Sequence, residues 1–439
     1  MFLDKKQQAE AVANKLRLRE AIKDKSLVKR EMIAGITGFF AISYIIIVNP
    51  IILKDAGIPT DLSVFATIIS SLIGCLIMGF WANAPVILTP GMGVNAFFTY
   101  TVVVAMGLSW QEALGISIVS SVIYVLIAFT KLSEILAKGI PDTLKAGITA
   151  GIGLFLVEIG LEKAQLIQQG KNSILALGDM TKPATLLAIF GLLLTLFLFI
   201  RNVTGGFFIG ILVTSVVGIV FGIKDQASPS VGIGDIAKYG EVFAKGDFSR
   251  ILSVPFVLAV FSMTMILVFE SMGLLEGIMP NPKKFKKAFQ ASSVTSLLSG
   301  ILGTSPTVAA AESASAIESG GRTGLTSIVA GIMFALSMFF IPLLSYVPQA
   351  AISPVIIITG ALMMNQLSRI NMFDFSDWFP AFLIVVIIPF TTSISTGLAF
   401  GFVAYPILKI AAGRQNELTV PTYVLGALFL CDLILSALL

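Results

Sequence analysis

Two glutamates stand inside segments that otherwise lack charge, and they are the side chains best suited to chemistry in this sequence. Glu270 lies in the run Met-Ile-Leu-Val-Phe-Glu270-Ser-Met-Gly, and Glu312 follows the run Thr-Ser-Pro-Thr-Val-Ala-Ala-Ala. A charge at the centre of a bilayer costs about 2.5–3.5 kcal/mol, so an acid kept there marks a substrate or ion pathway by default. The sequence has no histidine, so proton chemistry must use carboxylates.

Three further acids lie in or beside apolar segments, and for each of them we favour a structural role. Glu318 comes just before Gly320, Gly321 and Arg322, close to the end of its segment. Glu158 lies near an outer helix end, and Asp432 belongs to the C-terminal apolar stretch.

Proline and glycine interrupt two apolar segments close to the two candidate glutamates. One break contains Pro90, Gly91 and Gly93, and the other contains Gly303 and Pro306. A half-helix that starts at a break exposes unpaired N–H groups and the positive end of its dipole. Such a slot suits a flat polar heterocycle, with its edges on backbone and carboxylate groups and its faces on a phenylalanine.

Glycines at the breaks permit a backbone geometry and a close approach that a Cβ atom opposes. We therefore expect Gly93→Val to damage activity more than Gly360→Val, because Gly360 lies in an unbroken segment.

The elements that position these residues are membrane helices. Hydrophobic residues make up 56% of the 439 residues and charged residues only 12%, whereas soluble domains carry about 25% charged residues. Charge-free stretches such as 33–53, 184–200 and 328–344 are long enough to span ~30 Å of hydrocarbon as helices. Because no nucleotide-binding or nucleophile motif is found, we expect neither an enzyme nor an ATP-driven pump.

The apolar segments form two series of seven. The predicted spans are 32–54, 62–82, 85–108 (interrupted), 111–130, 142–160, 184–201 and 204–223, then 251–277, 288–303, 305–319 (interrupted), 322–344, 348–366, 376–391 and 393–412. The third span of each series carries the break. Because seven is odd, the two halves have inverted topology, and paired breaks in inverted repeats point to the binding site of a secondary transporter.

The distribution of Lys and Arg sets the orientation. Arg201, the Lys-rich loop 278–287, Arg322, Arg369 and Lys409 fall on the same side as the N-terminus, which the positive-inside rule makes cytoplasmic. We therefore expect a multi-pass protein of the inner or plasma membrane with a cytoplasmic N-terminus.

The motifs together resemble the AzgA-type purine permeases, which are nucleobase:cation symporters with a fold like that of the bacterial uracil permease. They are Pro90-Gly-Met-Gly-Val-Asn95-Ala-Phe-Phe98, Phe269-Glu270-Ser-Met-Gly273, and Glu312-Ser313 followed by Gly320-Gly-Arg-Thr-Gly324. The resemblance covers about 30–414. The family's usual Phe-Asp-Thr reads Phe-Glu270-Ser here, which lengthens the carboxylate by one methylene.

The resemblance implies an all-α polytopic fold with fourteen spans as 7+7 inverted repeats, and short antiparallel strands in broken segments 3 and 10. It divides the chain into 1–31, a cytoplasmic N-terminal arm; 32–130, the core domain (spans 1–4); 131–223, the gate domain (spans 5–7); 224–249, an external loop; 250–345, the core domain (spans 8–11); 346–412, the gate domain (spans 12–14); and 413–439, a C-terminal apolar segment. The stretch 420–438 is either a peripheral helix or a fifteenth span.

The resemblance also implies which residues hold the ligand. The expected substrate-binding residues are Glu270, Glu312, Asn49, Asn95, Ala96, Phe97, Ala311 and Ser313, and proton coupling is expected at Glu270 and Glu312. Asn49 follows Val48 and precedes Pro50, so a simple helix-end role is an alternative for it.

The expected function is import of purine nucleobases, hypoxanthine and guanine before adenine, by proton symport with alternating access. The alternatives are an anion exchanger of the same fold, or a permease for uracil or xanthine. An anion exchanger predicts a basic residue near the second break, and none lies between Gly303 and Gly321. We expect no cofactor and no metal. H⁺ is the expected coupling ion, and Na⁺ is the alternative. The expected partners are a lipid bilayer and a second copy that forms a homodimer through the gate domain, with no nucleic acid.

Overall fold

Long apolar helices account for most of the chain in the computed structural model, which describes residues 18, 23–170, 175–223 and 232–438. Within these residues, nine helices are long and apolar enough to cross a membrane. Helices satisfy their own backbone groups, which lipid cannot do. The chain is therefore a mostly helical, polytopic membrane protein, as the composition predicts.

The described residues of the first half form nine α-helices. They are α1 Lys25–Ile42, α2 Ile45–Asp55, α3 Thr60–Ile77, α4 Met92–Ala96, α5 Trp110–Phe129, α6 Leu132–Gly139, α7 Asp142–Lys163, α8 Pro183–Ile200 and α9 Gly206–Val220. π-Helical turns extend α3 over Met78–Ala82 and α4 over Phe97–Ala105, and the strands are β1 Leu88–Pro90, β2 Ile167–Gln169 and β3 Leu175–Leu177.

In the second half, the residues that the structure describes form eight α-helices and one strand. The helices are α10 Val254–Ile278, α11 Phe285–Ile301, α12 Ser313–Glu318, α13 Gly324–Ser337, α14 Gln349–Met363, α15 Phe375–Thr391, α16 Ile394–Ala411 and α17 Val420–Leu438, and the strand is β4 Thr307–Ala309. 3₁₀ turns cover Ile233–Glu241, Pro282–Lys284, Met338–Tyr346, Met364–Arg369 and Gln415–Glu417.

The two broken segments meet in the interior as a pair of short antiparallel strands. β1 pairs with β4 in the register Leu88–Ala309, Thr89–Val308 and Pro90–Thr307. Backbone bonds extend the pairing at both ends, from Gly91 N to Pro306 O at 3.1 Å and from Ala310 N to Ile87 O at 3.0 Å. The expected strand pair is therefore present, and it lies where each half-helix begins.

Hydroxyl side chains satisfy the backbone groups that the short strands leave unpaired. Thr307 N donates to Ser299 Oγ at 3.0 Å, and Thr307 O accepts from Ser296 Oγ at 2.8 Å. Ser327 Oγ donates to Val86 O at 2.8 Å. Irregular backbone at membrane depth is tolerated where protein groups bond to it, so these serines hold the breaks in place.

The first helix begins earlier than its hydropathy predicts. α1 starts at Lys25 rather than at residue 32, because the Asp24 side chain caps it by accepting bonds from Ser26 N and Leu27 N. The end of the predicted arm 1–31 is thus helical, while residues 1–17 and 19–22 lie outside the described part. The helix is also interrupted at Ser43 and Tyr44, which the sequence analysis did not predict.

Two predicted loops contain regular structure. The connection 131–141 holds helix α6, and the connection 161–183 holds the hairpin β2–β3. In the predicted external loop 224–249, residues 232–249 include a 3₁₀ turn, and 224–231 lie outside the described residues.

The C-terminal stretch forms helix α17, which packs on the rest of the protein through Phe429. The centroid of the Phe429 ring lies 4.7 Å from that of Phe261 on α10 and 5.0 Å from that of Phe402 on α16.

Gly360 has less room for a larger side chain than Gly93, although the expected order of Gly93→Val and Gly360→Val assumed that an unbroken segment leaves more room. A Cβ atom at Gly360 would lie 2.4 Å from Gly153 O and 2.9 Å from Val157 N, where α14 crosses α7. Gly153 has equally little space for a side chain, because a Cβ atom built there would lie 2.5 Å from Gly360 O. Small residues let membrane helices approach closely, so an unbroken span is no guarantee of space.

Candidate functional site

Glu312 stands where the second broken segment turns into helix. It directly precedes α12, and its carboxylate accepts a hydrogen bond from the hydroxyl of Tyr44. Tyr44 is fully buried at the interruption between α1 and α2. A tyrosine whose ring is buried usually finds a partner for its hydroxyl, and here that partner is a carboxylate 268 residues away.

A cavity of about 500 Å³ lies beside Glu312. Ala311 and Glu312 form part of its wall, together with the aromatic rings of Phe199 and Phe207, which stack at 5.7 Å. The other polar side chains that line it are Thr37, Thr149, Asn202, Thr204, Ser315, Glu318, Ser319, Thr359 and Gln366. Within the described residues, neither Lys nor Arg lines this cavity, so the charged side chains of its wall are the two glutamates.

Glu270 lies on α10, outside the cavity wall, and its carboxylate packs against the beginning of the other half-helix. It is 8% exposed on α10, one helical turn before Leu274, which lines the cavity. A Cβ atom built at Gly91 would lie 3.5 Å from Glu270 Oε1, and one at Gly93 would lie 3.1 Å from Oε2. The carboxylate thus sits against the first turn of α4, where backbone N–H groups and the helix dipole favour negative charge.

Asn95, on α4, has a side-chain amide whose hydrogen-bonding groups are not satisfied by the protein. It is fully buried, and neither Oδ1 nor Nδ2 has a protein partner among the described atoms. Its neighbours Ala96 and Phe97 are fully buried as well. Because a buried amide without partners costs free energy, Asn95 is suited to bonding a water or a ligand from within the core.

Two other predicted residues are instead bound within the protein scaffold. Asn49 Nδ2 donates to Thr67 Oγ1 at 2.8 Å and to Thr304 Oγ1 at 3.0 Å, and its Oδ1 accepts from Ser305 Oγ at 3.2 Å. Ser313 Oγ accepts from Ile87 N at 2.9 Å. Both side chains are fully buried and lie outside the cavity wall, where they tie the breaks to neighbouring elements.

The three acids for which a structural role is favoured lie at separate places. Glu318 is exposed at the wall of the cavity. Glu158 is half-buried on α7, and its Oε2 has no partner among the described atoms. Asp432 is 3% exposed and accepts a bond from Ser395 Oγ at 3.3 Å, which joins α17 to α16.

Sequence reasoning missed Tyr44, Thr359 and Phe207 as neighbours of Glu312. Phe207 contacts Tyr44 edge-on at 5.5 Å, and Thr359 lines the same cavity. One signal was available in the sequence: a tyrosine in a charge-free apolar segment needs a partner for its hydroxyl. Nothing in the sequence indicated that the partner would be Glu312.

Polar and aromatic contacts outside the cavity wall connect the end of α2 to α7. Asp55 Oδ2 accepts bonds from Lys163 Nζ at 2.6 Å and from Tyr100 OH at 2.7 Å. The ring of Tyr100 packs edge-on against Phe155 at 6.0 Å. These contacts join α2 and the π-helical end of α4 to α7.

Comparisons with known proteins agree with this architecture. The model of the Permease family (Xan_ur_permease) matches residues 29–400. The chain is 42% identical over 383 residues to the nucleobase transporter PlAzg2 of Paenibacillus larvae, covering 86% of this chain and 77% of that protein. It is 37% identical over 422 residues to the guanine/hypoxanthine permease PbuO of Bacillus subtilis, covering 92% and 97%.

The fold is similar to that of solved membrane transporters. The transmembrane domain of the cyanobacterial bicarbonate transporter BicA aligns with a TM-score of 0.62 at 14% identity, covering 86% of this chain and 98% of that one. At this identity the likeness concerns the fold alone.

Proposed function

The chain belongs to the Permease family, and from this membership and the chemistry of its cavity we propose that it imports purine nucleobases by proton symport. Its relatives include proteins named as nucleobase and guanine/hypoxanthine permeases. We propose hypoxanthine and guanine as the first substrates and adenine as the second. As a permease, the chain is a transporter and not an enzyme.

The carboxylate of Glu312 at the cavity wall is the observation that carries this proposal. A purine offers N–H donors at the edge of a flat ring, and a carboxylate accepts such donors with hydrogen bonds stronger than neutral ones. The stacked pair Phe199 and Phe207 supplies an apolar wall for the ring face. The volume of about 500 Å³ lies within the usual range for small-molecule sites.

The position of the cavity supports alternating access. It extends to Asn202 and Gln366, beside loops that the distribution of Lys and Arg assigns to the cytoplasm. The contacts of Asp55 with Lys163 and Tyr100 lie on the opposite, external side. We assign the structure to the inward-facing state of a protein in which the core domain moves against the gate domain. The fourteen spans in two inverted repeats and the cytoplasmic N-terminus belong to the same proposal.

We assign the coupling proton to Glu270. Its buried carboxylate extends from α10 to the start of α4, and Oε2 has no partner among the described atoms. A neutral base then enters with one proton. The membrane potential assists this step by about 2.3 kcal/mol per charge per 100 mV.

The alternative of an anion exchanger rests on the fold that this chain has in common with a bicarbonate transporter. The cavity argues against it, because Glu312 and Glu318 line the wall and, among the described residues, no cation does. An acidic wall repels an anion, whereas a neutral purine meets no such repulsion. Uracil and xanthine remain the alternatives that direct competition must separate.

The test is uptake of labelled hypoxanthine by the purified protein in lipid vesicles with an imposed pH step. Guanine, adenine, xanthine, uracil and bicarbonate are added as competitors. We expect guanine to compete best, adenine to compete less, and bicarbonate to have no effect. Uptake driven by a Na⁺ gradient and insensitive to pH contradicts the coupling ion, and competition by bicarbonate contradicts the substrate class.

A further inference from the structure

We propose that Tyr44 sets the choice between guanine and hypoxanthine by occupying one of the two carboxylate oxygens of Glu312. This inference rests on the proposed purine transport and goes beyond it by giving a role to a residue outside the predicted site. Tyr44 acts through Glu312 and is therefore a positioning residue.

The contact leaves the two oxygens of Glu312 in different situations. The Tyr44 hydroxyl donates to Oε1 and takes one of the two acceptor positions of that oxygen, while Oε2 receives no bond from Tyr44. A carboxylate with both oxygens available can bind two parallel N–H donors in a bidentate pair. With the Tyr44 hydroxyl on Oε1, that oxygen is the weaker acceptor of the two, so Glu312 offers a ligand one strong acceptor and one weakened acceptor.

The ring of Tyr44 is held so that its hydroxyl cannot easily turn away. The side chain is fully buried at the interruption between α1 and α2. Its ring meets Phe207 at 5.5 Å with an interplanar angle of 76°, an edge-to-face arrangement that favours this geometry. Because Phe207 lines the cavity, the ring is also fixed relative to the ligand wall.

The two purines differ in the donors that they present to such an acceptor. Guanine carries N1–H and an adjacent exocyclic amino group, whereas hypoxanthine carries N1–H next to a C–H. A single available oxygen satisfies N1–H in both bases and treats them alike. A fully available carboxylate would bind guanine through two bonds and hypoxanthine through one.

Tyr44→Phe tests the inference because it removes the hydroxyl and keeps the ring. Two opposite effects follow: Glu312 loses the bond that orients it, and Oε1 becomes available. Since a hydrogen bond to a charged group is stronger than one between neutral groups, we expect the KM for hypoxanthine to rise about 10-fold or more. The KM for guanine should stay nearly unchanged, so the guanine preference over hypoxanthine should increase about 10-fold while the maximal rates stay similar.

The matched control is Tyr405→Phe. Tyr405 is 3% exposed and also donates to a carboxylate, Asp377, at 3.4 Å, but this pair lies on α16 and α15 outside the cavity wall. This variant should leave the ratio of the two KM values unchanged. In a Glu312→Gln background, Tyr44→Phe should no longer alter that ratio, because the carboxylate through which it acts is absent.

The measurement is initial uptake of labelled hypoxanthine and labelled guanine into vesicles that contain equal amounts of folded protein. Wild-type vesicles that transport neither base contradict the proposed function itself. Wild-type transport of both bases with an unchanged KM ratio in Tyr44→Phe overturns only the role of Tyr44. Equal losses for the two bases also overturn it, since they indicate a purely structural contact.

Discussion

Asp55 and Lys163 form an ion pair at 2.6 Å between the end of α2 and the end of α7, outside the cavity wall. The pair is partly shielded from solvent, since the side chain of Asp55 is 32% exposed and that of Lys163 is 12% exposed. It joins an element of the proposed core domain to one of the proposed gate domain. If the two domains move against each other during transport, this contact must open once in every cycle.

Locking this contact should therefore stop transport without destroying the protein. In a Cys431→Ser background, which leaves only the buried Cys75, Asp55→Cys and Lys163→Cys are joined by a short reducible thiol cross-linker. We expect the cross-linked protein to lose hypoxanthine counterflow and to regain it on reduction. The two single-cysteine variants, treated in the same way, are the controls. Full counterflow in the cross-linked protein contradicts the idea that this contact opens.

Gly93 should be intolerant of even one added carbon. A Cβ atom there would lie 2.9 Å from Ile152 Cγ2 and 3.1 Å from Glu270 Oε2. We expect Gly93→Ala to reduce hypoxanthine uptake about 10-fold or more, because the methyl group displaces the Glu270 carboxylate or α7. The control is Gly240→Ala, since a Cβ atom at Gly240 has no heavy atom within 4 Å. Equal uptake by the two variants would show that the approach of α4 to Glu270 has no functional role.

Removing the carboxylate of Glu312 should abolish uptake while the protein still inserts into the membrane. Glu312→Ala leaves the donors of a bound purine without an acceptor, and we expect uptake to fall about 100-fold or more. Glu312→Gln retains one acceptor and should keep partial binding. Glu318→Ala is the matched control, since Glu318 lines the same cavity but is exposed. Wild-type hypoxanthine uptake by Glu312→Ala contradicts the assignment of the binding site.

Lys284 should react with amine-modifying reagents at an unusually low pH. Burial lowers its pKa to about 8, and the ammonium donates to Asn83 O at 2.6 Å and to Arg322 O at 3.2 Å. Its neutral form should therefore appear near pH 8 in the folded protein and near ~10.4 after unfolding. Between these values the unfolded chain binds more protons than the folded protein. The free energy of unfolding therefore rises with pH from about 8 to ~10.4, as the cost of burying the charged ammonium disappears.

The measurement is site-resolved acylation of Lys284 across pH 6 to 11 by mass spectrometry, in detergent and in denaturant. A midpoint at ~10.4 in both conditions would contradict burial of this ammonium group.

The positions of the breaks and of the two glutamates could be predicted from residue types alone. Proline and glycine end helices for local reasons, and an acid in an apolar run is expensive wherever the segment packs. The pairing of the broken segments was expected from the family resemblance and not from residue types. The structure confirms it, since β1 pairs with β4.

What the sequence could not provide depends on contacts between distant segments. Tyr44 and Glu312 are 268 residues apart, and their contact requires the interruption of the first helix at Ser43. The tight crossing of Gly153 and Gly360 depends likewise on how α7 meets α14. Asn49 looked equally suited to a ligand or to a helix end, and only the positions of Thr67 and Thr304 account for its amide.

The most direct test of the central claim compares exchange with accumulation in Glu270→Gln, an isosteric mimic of the protonated acid. Labelled hypoxanthine is followed in counterflow and in uptake under an imposed pH step, with Glu158→Gln on α7 as a second intramembrane acid for control. We predict that Glu270→Gln exchanges the base but fails to concentrate it, while Glu158→Gln does both. A Glu270→Gln protein that still concentrates hypoxanthine under the pH step contradicts proton coupling through this residue.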